Sequence, residues 1–119
     1  MINIAIIGTG SISTAHINAY CQFHDRCKIV AFADIYPEKA ESYVKKYQLE
    51  AKVVRDYKEL LADPTIDAVS ICTPPFTHAQ LSIDFLRAGK HVLVEKPMAS
   101  SLKECDEMIQ AAQESNKLL

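Results

Sequence analysis

Long apolar runs are missing from this sequence. The longest, Ile29–Ala33, has five residues, against the ~20 that a membrane-spanning helix needs. No membrane helix is expected. A basic stripe is missing too: 13 Lys and Arg are interspersed among 15 Asp and Glu, for a formal net charge of −2. Neither nucleic acid nor a membrane surface is therefore expected as a partner. No cationic region precedes the apolar N-terminal stretch, since the first Arg is Arg26, and Gly8 and Gly10 interrupt that stretch early. The expectation is no signal peptide and a cytoplasmic location. The four cysteines, Cys21, Cys27, Cys72 and Cys105, lack the spacing of a small disulfide scaffold and read as reduced thiols. Cys21, His24 and Cys27 stand three apart and could share a helix face. A structural zinc wants a second pair of ligands, and none is visible, so no metal is expected.

What is present is enough for one folded domain: 119 residues, 49% apolar and 24% charged. Apolar strands alternate with helical patterns. Ile4–Ile7 ends at Gly8, as a strand buried on both faces would. Ser11 to about Phe23 carries Ile12, Ala15, Ala19 and Phe23 at helical spacing. Lys28–Ala33 is a second strand, Glu38–Tyr47 a helix opened by Pro37, and Lys52–Val54 a third strand. A short helix runs from about Tyr57 to Leu61, and Pro64 stops it. Ala68–Cys72 is a fourth strand. Pro74 and Pro75 lead into a helix that Gly89 caps. His91–Val94 is a fifth strand. Ser101 and Glu104 have capping-box spacing before a last helix with Leu102, Cys105, Ile109 and Ala112 as its stripe. This alternation implies a doubly wound parallel α/β sheet, a Rossmann fold of five strands. Lys117–Leu119 reads as the start of a sixth, and the apolar ending suggests a truncated sequence.

Gly8-Thr9-Gly10-Ser11-Ile12-Ser13 follows the first strand and opens the first helix. This is a GxGxxG layout with Ser at the third glycine. Gly8 serves the tight turn, Gly10 lets backbone approach a pyrophosphate, and the helix N-terminus offers free N–H groups to phosphate. Asp34 ends the second strand, 21 residues after Ser13, where an acid accepting ribose hydroxyls belongs. Asp34 would repel a 2′-phosphate, so NAD is expected over NADP; Lys39 is the nearest cation after it. The other reading of these residues is a strand-to-helix turn with an incidental acid.

Two further segments fall where strands four and five end: Cys72-Thr73-Pro74-Pro75-Phe76-Thr77-His78 and Gly89-Lys90-His91-Val92-Leu93-Val94-Glu95-Lys96-Pro97. Thr73 can contact a cofactor from a strand's C-terminal end. Lys96 offers an ammonium there; by composition alone it reads as a solvated lysine. Together with the Gly8–Ser13 loop, His16 and Asp34, these segments resemble the N-terminal domain of the glucose–fructose oxidoreductase/inositol dehydrogenase (Gfo/Idh/MocA) family over essentially the whole chain. The resemblance implies NAD(P)-dependent hydride transfer at a carbinol carbon of a sugar, inositol or related polyol. It implies that Lys96 is catalytic, binding the reacting oxygen and helping its proton transfer. It implies that Glu95 contacts the nicotinamide side and that Pro97 fixes the Lys96 backbone through a cis bond. Thr73, Pro74 and His78 would line the crevice. His16 matches the family pattern loosely and reads equally well as a polar helix residue near the loop.

The family's second α/β domain, which carries an acid/base partner and most of the substrate pocket, is absent from these residues. The chain alone is expected to bind cofactor without turnover, and a homo-oligomer is expected. Two alternatives compete. One is a free-standing NAD-binding protein with a sensing or partner-binding role. The other is a Rossmann domain for acyl-CoA or a nucleotide sugar, which the Glu95-Lys96-Pro97 run disfavours.

Overall fold

The computed structural model describes all 119 residues. Five strands run β1 (Ile2–Ile7), β2 (Cys27–Ala33), β3 (Lys52–Val54), β4 (Ala68–Ile71) and β5 (His91–Val94). They form one sheet in the order β3-β2-β1-β4-β5, and every pair is parallel. The crossovers carry α1 (Ser13–Gln22), α2 (Pro37–Lys46), α3 (Lys58–Leu61) and α4 (His78–Arg87), the last after a 3₁₀ turn at Pro75–Thr77; α5 (Leu102–Ser115) follows β5.

The continuous apolar run of β1 is explained by burial on both sides. Its side chains alternate: Ile4 and Ile6 join Ile17, Phe32, Ala40 and Tyr43 under α1 and α2, whereas Ala5 and Ile7 join Leu60, Phe85, Leu86 and Met108 under α3, α4 and α5. Helices on both faces cover the parallel sheet, as its unalternating strands require. No helix is long and apolar enough to cross a membrane.

Two expected helix faces are corrected. On α1 the buried residues are Ser13 and Ile17, while Ile12 and Phe23 are 44% and 51% exposed and Ala15 and Ala19 lie on the outside. Ser13 sets this rotation. Its fully buried side chain faces the sheet at the head of the helix, so residues one and two turns on must face inward as well. On α5 the buried residues are Met108 and Ala111, with Cys105 and Ala112 half-buried; Leu102 and Ile109 are 85% and 44% exposed. That face packs against α4. The start of α5 follows its sequence signal: Ser101 Oγ accepts from Glu104 N–H at 3.2 Å.

Gly89 has φ +81° and ends α4, with Lys90 N–H returning to Phe85 O at 2.9 Å. Lys117–Leu119 is not a strand. It runs beside the open edge of β5, where Val92 N–H donates to Leu118 O at 2.9 Å.

Candidate functional site: the carboxyl edge of the sheet

Because the strands are parallel, the segments after β1, β2, β4 and β5 emerge along one edge. The chain reverses direction across the sheet between β1 and β4, and ligands of doubly wound sheets bind at such a switch point. Gly8–Ile12, Asp34, Cys72–His78 and Glu95–Pro97 all lie along this edge.

Gly8 has φ +87°, and a Cβ there would stand 2.7 Å from Thr73 Cγ2 and 2.9 Å from Thr73 N. Glycine is therefore demanded twice, by the turn and by the closeness of the β4 loop. Gly10 differs. A Cβ on it would meet only Cys72 O, at an ordinary 3.6 Å. Nothing in the chain itself requires the bareness of Gly10, which leaves backbone open where a ligand would approach.

The head of α1 has no side-chain cap and no acid in its first turn. Ser13 N–H and Ala15 N–H turn back to Gly10 O and Ile12 O at 3.0 and 3.1 Å, so the helix begins at Ser13 rather than Ser11. The N–H groups of Gly10, Ser11 and Ile12 find no acceptor in the protein. Three free donors at the positive end of a helix dipole form a cradle for an anion. Ser13 keeps the cradle shut from beneath, with Oγ–H donating to Gly10 O at 2.6 Å. The missing third glycine thus costs the loop nothing visible.

Thr9 is 2% exposed and turns away from the cradle. Its N–H and Oγ–H both donate to Asp34 Oδ2, at 2.8 and 2.6 Å, while Tyr36 N–H donates to Oδ1 at 2.8 Å. The Thr9 side chain therefore orients Asp34. The Asp34 oxygens have remaining lone pairs for hydroxyl donors.

On the β4 side, Thr73 Oγ and Thr77 Oγ lie 2.6 Å apart, and Pro74 is exposed. His78 does not line the crevice as the resemblance implied. It is 1% exposed, with Nε2 2.8 Å from Thr73 O and Nδ1 2.8 Å from Pro97 O. Helix α4 starts at His78 and carries its ring inward between the two loops. The Lys96–Pro97 bond is cis.

At the end of β5, Glu95 Oε1 stands 2.7 Å from His16 Nε2 and Oε2 accepts Lys96 N–H at 3.2 Å. The His16 hydrogen bond holds the Glu95 carboxyl below the usual carboxylate range. The other His16 nitrogen, Nδ1, is 3.3 Å from Ser70 Oγ, which lies 2.5 Å from Tyr20 Oη. The sequence leaves His16 open between the site and the helix surface, and its pattern does not single out Ser70 or Tyr20. One signal existed for Ser70: a hydroxyl inside the otherwise apolar β4 run. Burial pushes the nearby Cys72 thiol up to about 12. All four cysteines are free thiols, and no His, Cys, Asp or Glu cluster has a metal-binding arrangement. The Lys96 ammonium is exposed and has no acceptor in the chain.

A cavity of about 580 Å³ lies off the cradle, along the outer side of β5 and the end of α5. Glu95 and Lys96 form one wall, and Val94, Met98, Ile109 and Leu118 line the rest.

A family model described as "Oxidoreductase family, NAD-binding Rossmann fold" matches residues 2–119. The chain is 33% identical over 116 residues to myo-inositol 2-dehydrogenase of Thermotoga maritima, covering 98% of this chain and 34% of that protein. It is 35% identical over its whole length to scyllo-inositol 2-dehydrogenase (NADP(+)) IolU of Bacillus subtilis, 36% of which is covered. Among solved structures, the WlbA dehydrogenase of Bordetella pertussis in complex with NADH and UDP-GlcNAcA superposes with TM-score 0.90 at 31% identity, over 98% of this chain and 33% of that one. The chain thus spans about a third of the length of the relatives it matches.

Proposed function

Because the chain belongs to the Gfo/Idh/MocA oxidoreductase family as its NAD-binding Rossmann domain, we propose that it is the cofactor half of a longer dehydrogenase of sugars, inositols or related polyols. The observation that carries this reading is the pairing on one edge of two elements. One is the acceptor-free N–H groups of Gly10, Ser11 and Ile12; the other is an acid held in place by Thr9. The first suits a pyrophosphate and the second a ribose diol.

When bound, a nicotinamide cofactor supplies the acceptor or donor of hydride. The chain's own residues do the rest of this half of the work. Asp34 accepts from the ribose hydroxyls and opposes a 2′-phosphate, so NAD is preferred. The IolU relative named for NADP shows that the family's preference varies, and Lys39 is the nearby residue that could temper it. Thr73 and Pro74 border the crevice, and Glu95 serves the nicotinamide side. Lys96 holds the reacting oxygen. Its ammonium stabilises the negative charge that grows as the hydroxyl proton leaves, and a base from outside these residues takes that proton. The substrate wall and that base belong to a second domain in the longer protein, and the full protein is a homo-oligomer.

Titration with NADH and NADPH, followed by nicotinamide fluorescence, tests the first half. NADH should bind more tightly. Equal or tighter NADPH binding overturns the preference, and no binding of either overturns the cofactor assignment. For the second half, Lys96→Ala in the longer protein should abolish turnover with NADH affinity changed only a few-fold. Near-normal turnover removes Lys96 from the chemistry.

A further inference from the structure

Lys96 occupies a short loop, and nothing in the chain holds its ammonium. Both of its neighbours are tied. Glu95 Oε1 meets His16 Nε2 at 2.7 Å, and Pro97 O meets His78 Nδ1 at 2.8 Å. The two histidines come from opposite layers: α1 covers the face of Ile4 and Ile6, and α4 covers the face of Ala5 and Ile7. His16 has a second anchor, since its Nδ1 is backed by Ser70 and Tyr20; the second His78 nitrogen, Nε2, lies 2.8 Å from Thr73 O.

We propose that His16 and His78 are positioning residues that brace Lys96 from the two faces of the sheet. The proposal rests on the assignment of Lys96 above and goes beyond it by naming what aims the ammonium. An ionised Glu95 only accepts, so the His16 Nε2–H donates to it. Nδ1 then accepts from Ser70, whose oxygen accepts from Tyr20, and every group in that chain is satisfied. The His78 ring faces a backbone carbonyl with each nitrogen; a neutral ring has one N–H, and in the Nδ1–H tautomer it donates to Pro97 O and ties the loop after β5 to α4. A rigid ring suits both jobs, because its two nitrogens point in set directions and few rotors are lost in ordering it.

The ring geometry dictates a crossed test. A glutamine amide nitrogen reaches the place of Nε2, and an asparagine amide nitrogen that of Nδ1. His16→Gln keeps the donor to Glu95, and His16→Asn loses it. His78→Asn keeps the donor to Pro97 O, and His78→Gln loses it. Backbone ¹⁵N relaxation of Lys96 in this chain is the readout. Its order parameter should stay near the rigid value of ~0.85 in the unsubstituted chain, His16→Gln and His78→Asn, and fall toward ~0.6 in the other two. The Glu95 carboxyl titration should move up toward the ordinary range in His16→Asn and stay low in His16→Gln, a shift that simple loss of packing would not sort this way. Unchanged Lys96 relaxation in all four variants overturns the proposal. So does an equal loss in both members of a pair. If the buried His78 tolerates neither replacement, the His16 pair decides. None of these readouts needs turnover, so failure of the Lys96 chemistry and failure of the brace are separate results.

Discussion

At the residue scale, Gly8 carries the tightest constraint on the site. Its positive φ disfavours any side chain by ~1–2 kcal/mol. The 2.9 Å approach to Thr73 N leaves no flexible atom to move aside, which adds ~1–3 kcal/mol of overpacking. Gly8→Ala should therefore lower stability by about 2–5 kcal/mol in denaturant unfolding and should weaken NADH binding through displacement of the β4 loop. A Gly8→Ala protein of unchanged stability would contradict the close approach. Thr9 has the subtler role. It sits within the glycine loop read as a phosphate cradle, but both of its donors serve Asp34, so its side chain acts by orienting an acid. Nothing in the local pattern marks the middle residue of the glycine turn as facing inward, because that direction depends on β2 lying beside β1.

At the element scale, the lesson lies in helix rotation. Ile12, Ala15, Ala19 and Phe23 fit a 3.6-residue period as well as Ser13, Ile17, Tyr20 and Cys21 do, and the first set is the more apolar. The second set wins because Ser13 must pack under the glycine turn. Ile17→Ala should consequently cost ~2–5 kcal/mol, whereas Phe23→Ser should stay within ~0.5 kcal/mol. Thermal or urea unfolding of the two variants checks the rotation, and the reverse order would restore the face expected from the sequence. Strand identities and the α5 cap were legible, since they depend on local runs and on the Ser101–Glu104 spacing alone.

At the scale of the whole molecule, the titrating groups define a pH window for stability. Glu95 is held low by His16, and Asp63 is held low by hydrogen bonds from Lys52 and Thr65. A depressed folded value contributes stability that is present above the unfolded value and lost as pH falls through the folded one. Stability should therefore decline below the ordinary carboxylate range of ~4. On the alkaline side, burial raises Cys72 from 9.0, and burial with the Asp84 hydrogen bond raises Tyr57 from 10.0, each to about 12. Raised folded values leave their contribution intact below the unfolded values, and it is lost as pH climbs toward 12. Melting temperature against pH should show a plateau between these limits. Burial lowers Lys90 from its ordinary 10.5 and acts in the opposite sense up to that value, so a melting temperature still rising above pH 10.5 would refute the alkaline assignment.

Beyond the contacts of Leu118 with His91 and Val92, the outer edge of β5 meets no further strand, and Leu93 is 54% exposed. Open edges of this kind recruit other chains. The 119-residue chain should show concentration-dependent association by light scattering, and Leu93→Lys should reduce it. A monomer at high concentration would remove the edge from consideration.

By itself the sequence determined the order of strands and helices, the glycine turn at the head of α1 and the acid after β2. Each is written within a few neighbouring residues, by period, by φ preference or by spacing. Only the tertiary structure decided which face α1 and α5 bury and which side chains meet across the site. His16 and Glu95 are 79 positions apart, and His78 and Pro97 are 19 apart. Those meetings require β4 to lie between β1 and β5, with α1 and α4 on opposite faces. No local period encodes that arrangement. It follows from right-handed crossovers and from the burial of both faces of one sheet.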